Sequence, residues 1–171
     1  MRTDGLVTEI WEIRQRSVAQ EDDNYRFQNF LTERVEWSDW KLDEVVYKIS
    51  EKIAAQIDCT ACANCCHTIP PSLMKEDISR LAERLELTTK EFEKRHTIIN
   101  SSGDREMASL PCPFLKEKMC SVYTDRPEDC RDYPHLNVSR VRTRMHSIIA
   151  NAAICPIVFN TLEELKQRLN W

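Results

Sequence analysis

Apolar residues in the first third of the chain return at helical spacing. Leu6, Ile10 and Ile13 stand at i, i+4 and i+7. Phe27, Phe30, Leu31 and Val35 repeat the pattern, and Leu42, Val45, Val46, Ile49, Ile53 and Ile57 form the longest stripe. A period near 3.6 places such residues on one face, so the spacing predicts three amphipathic helices with these faces in a core. Ser38 suits the N-cap of the third, because its hydroxyl accepts an otherwise unpaired amide N–H of the first turn; that helix leads towards Cys59. Trp11, Trp37, Trp40 and Tyr47 read as core or helix-packing residues. Pro70 and Pro71 stop any regular element, after which Ile78, Leu81, Ala82 and Leu85 mark another helix. A short helix begins at Thr88, where the Thr88 to Glu91 spacing is a capping box, and Thr161 to Glu164 repeats the box before a last helix. Val141, Met145, Ile148, Ile149 and Ala152 predict a helix ending just before Cys155-Pro156. Asn100 to Asp104 is turn-like and separates Thr97-Ile98-Ile99 from Met107 to Leu110, which predicts a small hairpin.

The expected fold is therefore mainly α, a single domain with an irregular cysteine-rich subdomain and a small β-hairpin. A helical region is expected over 1–58, the cysteine-bearing part over 59–156 and a C-terminal helix over 157–171, together forming one compact unit. At 171 residues the chain has the length of one domain and can bury its own core without covalent staples.

Composition narrows the function classes. Apolar residues make up 42% and charged residues 30%, ordinary for a globular protein, and no segment is long and apolar enough to cross a bilayer. Asp4, Glu9, Glu12, Arg14 and Arg16 among the first residues are unlike a secretory signal, so the expected location is the cytoplasm, where structural disulfides are rare. A net charge of -4 argues against nucleic acid and anionic lipid as partners. With only Gly5 and Gly103, neither a dinucleotide fingerprint, a phosphate-cradling loop nor a serine-nucleophile elbow can be built in its usual form.

The eight cysteines carry the chemistry. Cys59-Thr-Ala-Cys62-Ala-Asn-Cys65-Cys66 places four thiols within eight residues. A C-x-x-C step lets the backbone turn so that two sulfurs converge on one metal while nearby N–H groups point at the thiolates. Two steps in tandem present three sulfurs, which is what one face of an iron-sulfur cubane asks for, and bacterial ferredoxins combine this step with a distant Cys-Pro; Cys155-Pro156 is such a pair. Cys112, Cys120, Cys130 and Cys155 are widely spaced and form no second C-x-x-C, whereas two ordinary four-cysteine zinc sites more often show paired knuckles. This favours iron-sulfur, with a 4Fe-4S cluster as the expected cofactor and zinc as the alternative. Disulfides, buried cysteines acting as small hydrophobes, and a thiol redox sensor are the competing readings.

Further signature residues lie at Pro111-Cys112-Pro113-Phe114-Leu115, at Cys120-Ser-Val-Tyr123 and at Arg126-Pro127-Glu-Asp-Cys130-Arg131-Asp-Tyr133-Pro134. With Cys59 to Cys66, these runs resemble the YkgJ-type cysteine-cluster family, described as a zinc- or iron-chelating domain with a C-x-x-C-x-x-C-C signature. The resemblance spans about Cys59 to Pro156, and all eight cysteines fall on its pattern. It implies a metal centre and links the chain to flagellin lysine methylases, larger proteins in which an iron-sulfur cluster is implicated in methyl transfer. This chain is much shorter and shows no motif for a methyl donor or a lysine substrate, so no catalytic residue is assigned and its being an enzyme stays open.

Around the thiols, Arg126 and Arg131 flank Cys130 and are expected either to offset the negative charge of a thiolate-bound metal or to pair with Glu128, Asp129 or Asp132. Pro127 suits the first turn of a short helix carrying Cys130. His67 and His135 are candidates for a mixed Cys/His site, though eight thiols make neither necessary. Arg140, Arg142, Arg144 and His146 make one helix locally basic, either a solvated face or a place for an anionic partner. The expected function is metal binding, as an iron-sulfur protein for electron transfer or cluster-assisted chemistry. The alternatives are a zinc-stabilised interaction module and a metal-handling or redox-sensing protein. The partner is a metal ion or cluster; no redox or protein partner is identified.

Overall fold

The computed structural model describes residues 5–171; Asp4, cited above for its charge, lies outside the described residues. The fold is mainly α, as the apolar periodicity predicts, and the chain divides into two compact units, residues 5–58 with 134–171 and residues 59–133.

The first unit is built from α1 (Ile10–Ala19), α2 (Glu21–Glu33), α3 (Asp39–Ala54), α9 (Val141–Ala152) and α10 (Pro156–Arg168). Helix α3 packs on α9 and α10, α2 packs on α9, and α1 packs on both α9 and α10. Most of the stripes face inward as expected: Ile13, Phe27, Leu31, Leu42, Val45, Val46, Ile49 and Ile53 are buried, and so are Val141, Met145, Ile148, Ile149 and Ala152, whereas Phe30 is half-buried and Val35 and Ile57, also half-buried, lie beyond the ends of α2 and α3. Ser38 caps α3, its hydroxyl accepting from Lys41 N at 3.2 Å. The start of α9 is capped from outside its own sequence. Arg140 sits in the left-handed region at φ 64°, and the carboxylate of Asp43 on α3 accepts both the Arg140 and Val141 N–H groups at 2.8 Å. A negative charge there also suits the positive end of the helix.

Three expectations about this unit are corrected. Leu6 is not helical. Gly5 to Glu9 form no helix, and Asn160 on α10 holds Val7 on both sides, accepting its N–H at 3.0 Å and donating to its carbonyl at 2.7 Å. Thr161 does not start the last helix. With Cys155 as N-cap and Pro156 at the first position, where a missing N–H costs nothing, α10 begins five residues earlier and Thr161 lies buried inside it. Trp11, Trp40 and Tyr47 are surface residues, Trp11 and Trp40 at 75% and 72% exposure, because they occupy the faces of α1 and α3 opposite the apolar stripes.

The second unit contains α4 (Cys59–Cys62), α5 (Asn64–Thr68), α6 (Lys75–Arg84), α7 (Thr89–His96), hairpin β1 (Thr97–Ile99) with β2 (Arg105–Met107), hairpin β3 (Leu115–Lys116) with β4 (Met119–Cys120), a 3-10 turn at Tyr123–Asp125, and α8 (Glu128–Asp132). The Thr88 capping box is formed, Thr88 Oγ1 accepting from Glu91 N at 3.2 Å and Glu91 Oε2 from Thr88 N at 2.9 Å. The expected hairpin is present, with Thr97 opposite Met107, so its second strand begins two residues earlier than the apolar run suggested. Asn100 closes its turn by accepting from Ser102 and Asp104 N–H groups. The β3–β4 hairpin was not anticipated: Glu117 turns it at φ 58° without the glycine or asparagine that announces such turns. Leu73, Ile78, Leu81, Ala82, Phe92, Met107, Phe114 and Val122 form this unit's apolar cluster, and Cys112 and Cys120 pack against it.

Candidate metal centre

The Cys59 to Cys66 run folds as two short helical turns, α4 and α5, joined by one residue in left-handed conformation, Ala63 at φ 51° and ψ 12°. Ala63 N donates to Cys59 O at 3.1 Å, Cys66 N to Ala63 O at 3.1 Å and Ile69 N to Cys65 O at 2.9 Å. The spacing thus becomes a compact double turn presenting Cys59 at the surface and Cys62, Cys65 and Cys66 half-buried. An alanine held left-handed costs roughly 1–2 kcal/mol, and its buried methyl shows that the site accepts this in exchange for reversing the chain between two pairs of thiols.

Three further segments of the same unit bring thiols to Cys66. Cys112 lies before β3, and its N–H donates to the Cys66 carbonyl at 2.8 Å. Cys120 ends β4, against which α4 packs, and Cys130 is central in α8. Cys66, Cys112, Cys120 and Cys130 interact electrostatically in every pairing: Cys66 raises the other three thiols by like charge, and Cys130 is raised by all of Cys66, Cys112 and Cys120. The sulfurs also receive backbone donors, from the Phe114 and Leu115 N–H groups at Cys112 and from the Val122 N–H at Cys120. N–H groups aimed at sulfur are what a metal-thiolate turn uses to spread negative charge.

Without a cation these thiols are driven towards the neutral form. The Cys66 thiol is pushed up by its hydrogen bond with Cys65, then by burial and by the charge of Cys65. Burial raises Cys112 and Cys120, partly offset by their backbone donors. Cys130 is pushed up to about 12, first by burial and then by Cys66, Cys112, Asp129 and Cys120. A divalent or higher cation inverts this logic and deprotonates its thiol ligands outright. Half-buried thiols with mutual repulsion and amide donors are therefore a donor set that fits zinc or iron. Among the described residues no three Cys, His, Asp or Glu side chains are already closed around one point.

Arg126 lies over the Tyr123 ring at 3.9 Å and donates to the Tyr123 carbonyl at 2.7 Å, and its charge favours the Cys120 thiolate. Arg131 donates to the carbonyls of Arg126, at 3.1 Å, and Thr124, and pairs with Glu128 at 3.7 Å. Pro127 is the N-cap of α8 rather than its first residue. His67 is exposed. His135 lies in the other unit, its carbonyl accepting from Arg144 at 3.0 Å, as does Cys155, the buried N-cap of α10. The basic run of α9 is partly occupied: Arg142 pairs with Asp39 at 2.9 Å and donates to Trp37 O, and Arg144 donates to the carbonyls of His135, Val138 and Ser139.

Sequence reasoning missed the residues that brace the thiol loops. Asp77, Arg80 and Asp129 tie α6 and Ser72 to the chain around Cys130. Only Asp77 had a local signal, its place three residues after Met74, where an acidic side chain can cap the helix start.

No curated protein and no solved structure matches the chain, and no helix among the described residues is long and apolar enough to cross a membrane. A family model does match, over residues 58–156, and its description as a "putative zinc- or iron-chelating domain" agrees with the donor set found at Cys66, Cys112, Cys120 and Cys130. The protein belongs to the CxxCxxCC family of zinc- or iron-chelating domains.

Proposed function

We propose that this protein holds iron as an iron-sulfur cluster, a 4Fe-4S cubane, and serves electron transfer or cluster-assisted chemistry. The observation that carries the reading is the gathering of Cys66, Cys112, Cys120 and Cys130 from four separate segments, with amide donors at two of the sulfurs. Beside them, Cys59, Cys62 and Cys65 supply the tandem C-x-x-C ladder that suits a cubane face. The eight cysteines are the candidate thiolate ligands, Cys155 on its Cys-Pro sequence alone; one cubane takes four of them, so the remaining thiols are structural or reactive or serve a further centre. Arg126 offsets charge at Cys120. A bound cluster supplies reversible one-electron exchange. Reduced thiols so placed fit the cytoplasm, where disulfides are rare.

A second reading is a zinc-organised interaction module, favoured by the fact that four thiols from one unit also match a single tetrahedral ion. Metal and sulfide analysis with a visible spectrum, on untagged protein purified anaerobically, decides between them. Brown protein with iron and acid-labile sulfide, bleached on reduction, is expected. Colourless protein with stoichiometric zinc and no sulfide overturns the cluster.

A further inference from the structure

Helix α6 carries no cysteine, yet its one buried acidic residue is tied to the loop that leads to Cys130. Asp77 is 2% exposed. Its carboxylate accepts from Met74 N at 3.0 Å, from Glu128 N at 3.1 Å and from Arg80 Nη2 at 2.5 Å. Arg80 also donates from Nε to the Asp125 carbonyl at 3.2 Å and from Nη2 to the Arg126 carbonyl at 3.1 Å. On the far side of Glu128, the Asp129 carboxylate accepts from Ser72 N at 2.9 Å.

Burying a carboxylate is expensive unless it is paired and hydrogen-bonded, and replacing a buried ion pair by apolar residues is often neutral or stabilising. Simple packing of α6 therefore does not call for Asp77 and Arg80. Their bonds instead converge on the backbone groups of residues 125, 126 and 128, which lie between Cys120 and Cys130. The planar fork of arginine reaches two carbonyls and one carboxylate together, which a lysine ammonium on a flexible stem does not reproduce. In the turn itself only Pro127 is buried, and none of the residues of α8 is, so the polar bonds carry much of what fixes this stretch.

We propose that Asp77 and Arg80 are positioning residues that hold the turn before α8, and thereby the Cys130 thiolate, at a fixed place for metal. This rests on the reading of Cys130 as a ligand. Residues that orient metal ligands typically change affinity 10- to 100-fold when altered.

The test is a competition titration of metal-free, reduced full-length protein with Co²⁺ against a chromophoric chelator. Arg80→Lys and Asp77→Asn are each expected to weaken Co²⁺ binding about tenfold, while Arg84→Lys, which alters an exposed pair to Asp125 on the same helix, leaves it unchanged. Because the pair acts through Cys130, Arg80→Lys is expected to have no further effect in a Cys130→Ser background. Wild-type affinity in Arg80→Lys overturns the proposal, and so does an equal loss in both backgrounds, which is the mark of a general effect on folding. The metal reading fails separately if the wild type takes up no Co²⁺, or if Cys130→Ser binds it as tightly as wild type.

Discussion

The two units keep their shape by different means. In the helical unit every long helix buries several side chains, from Ile13 on α1 to the nine buried residues of α10, and polar groups such as Asp43 and Asn160 finish the ends of elements that apolar burial has already placed. In the thiol-bearing unit α6, α7 and the hairpins share a small apolar cluster, but α4, α5 and α8 contain no buried residue. Burial stabilises by roughly 25 cal/mol per Å² of apolar surface, so segments that bury little must be held otherwise. Here they are held by backbone bonds, by the Asp77 and Arg80 network and, in a zinc- or iron-chelating domain, by the metal.

The sharpest way to break this contrast is to withdraw metal. Chelation under reducing, anaerobic conditions is expected to make the amides of residues 59–68 and 123–132 exchange quickly with deuterated solvent while α3, α9 and α10 stay protected. Structural metal sites contribute on the order of 10 kcal/mol to folding. Unchanged protection at Cys59 to Thr68 sinks the comparison. Next in size is Phe27→Ala, which empties a fully buried position of the helical unit and is expected to cost about 3–5 kcal/mol in denaturant unfolding; a loss under 1 kcal/mol means that this core is not what holds the unit.

The pH dependence of metal binding comes third. The hydrogen bond with Cys65 raises the Cys66 thiol and burial raises those of Cys112, Cys120 and Cys130 above the ordinary cysteine range, so they are protonated at neutral pH and a metal must displace their protons. Zn²⁺ affinity by competition titration is expected to rise with pH, about tenfold per unit for each proton displaced; a flat profile from pH 6 to 8 contradicts it. For the metal-free protein the sign is opposite. Raised folded-state values stabilise the fold below pH 9, and that contribution is lost as pH climbs through about 12 at Cys130. The smallest expected effect is that of Ala63→Gly, which relieves the left-handed alanine and is expected to stabilise by up to about 1 kcal/mol, read as a rise in the unfolding midpoint. A fall shows that the buried methyl matters more than the strain.

Where apolar periodicity was long, the sequence was a good guide. The stripe from Val141 to Ala152 became a helix with those residues buried, the stripe from Leu42 to Ile57 did so as far as Ile53, with Ile57 left beyond the end of α3, and Ser38 and the Thr88 to Glu91 box cap the helices they precede. Local patterns failed where a neighbouring feature overrode them. Thr161 to Glu164 has the capping spacing, but Pro156 had already started the helix. Leu6 has helical spacing, but Asn160 takes both backbone groups of Val7, leaving the segment outside any helix. Trp11 and Trp40 are large and apolar in character, yet exposed, because the stripe on each helix lies on its other face. At the candidate metal centre the cysteines announced themselves by spacing, whereas their supports did not. Asp77 and Arg80 reach the Cys130 loop from about fifty positions away, and no spacing rule covers that distance.

The sequence by itself determined the helical character of the chain, the family and the thiol chemistry, because each is written in local spacing: 3.6-residue apolar periods, C-x-x-C steps, and proline and capping residues beside them. Only the tertiary structure decided which thiols of the second unit lie near enough to influence one another's ionisation, that a left-handed Ala63 joins the two helical turns of the first four, and that Asp43 and Asp77 cap helices far along the chain. Those outcomes depend on where distant backbone N–H groups and carbonyls are left without local partners, and a buried polar group finds its partner in space rather than in sequence.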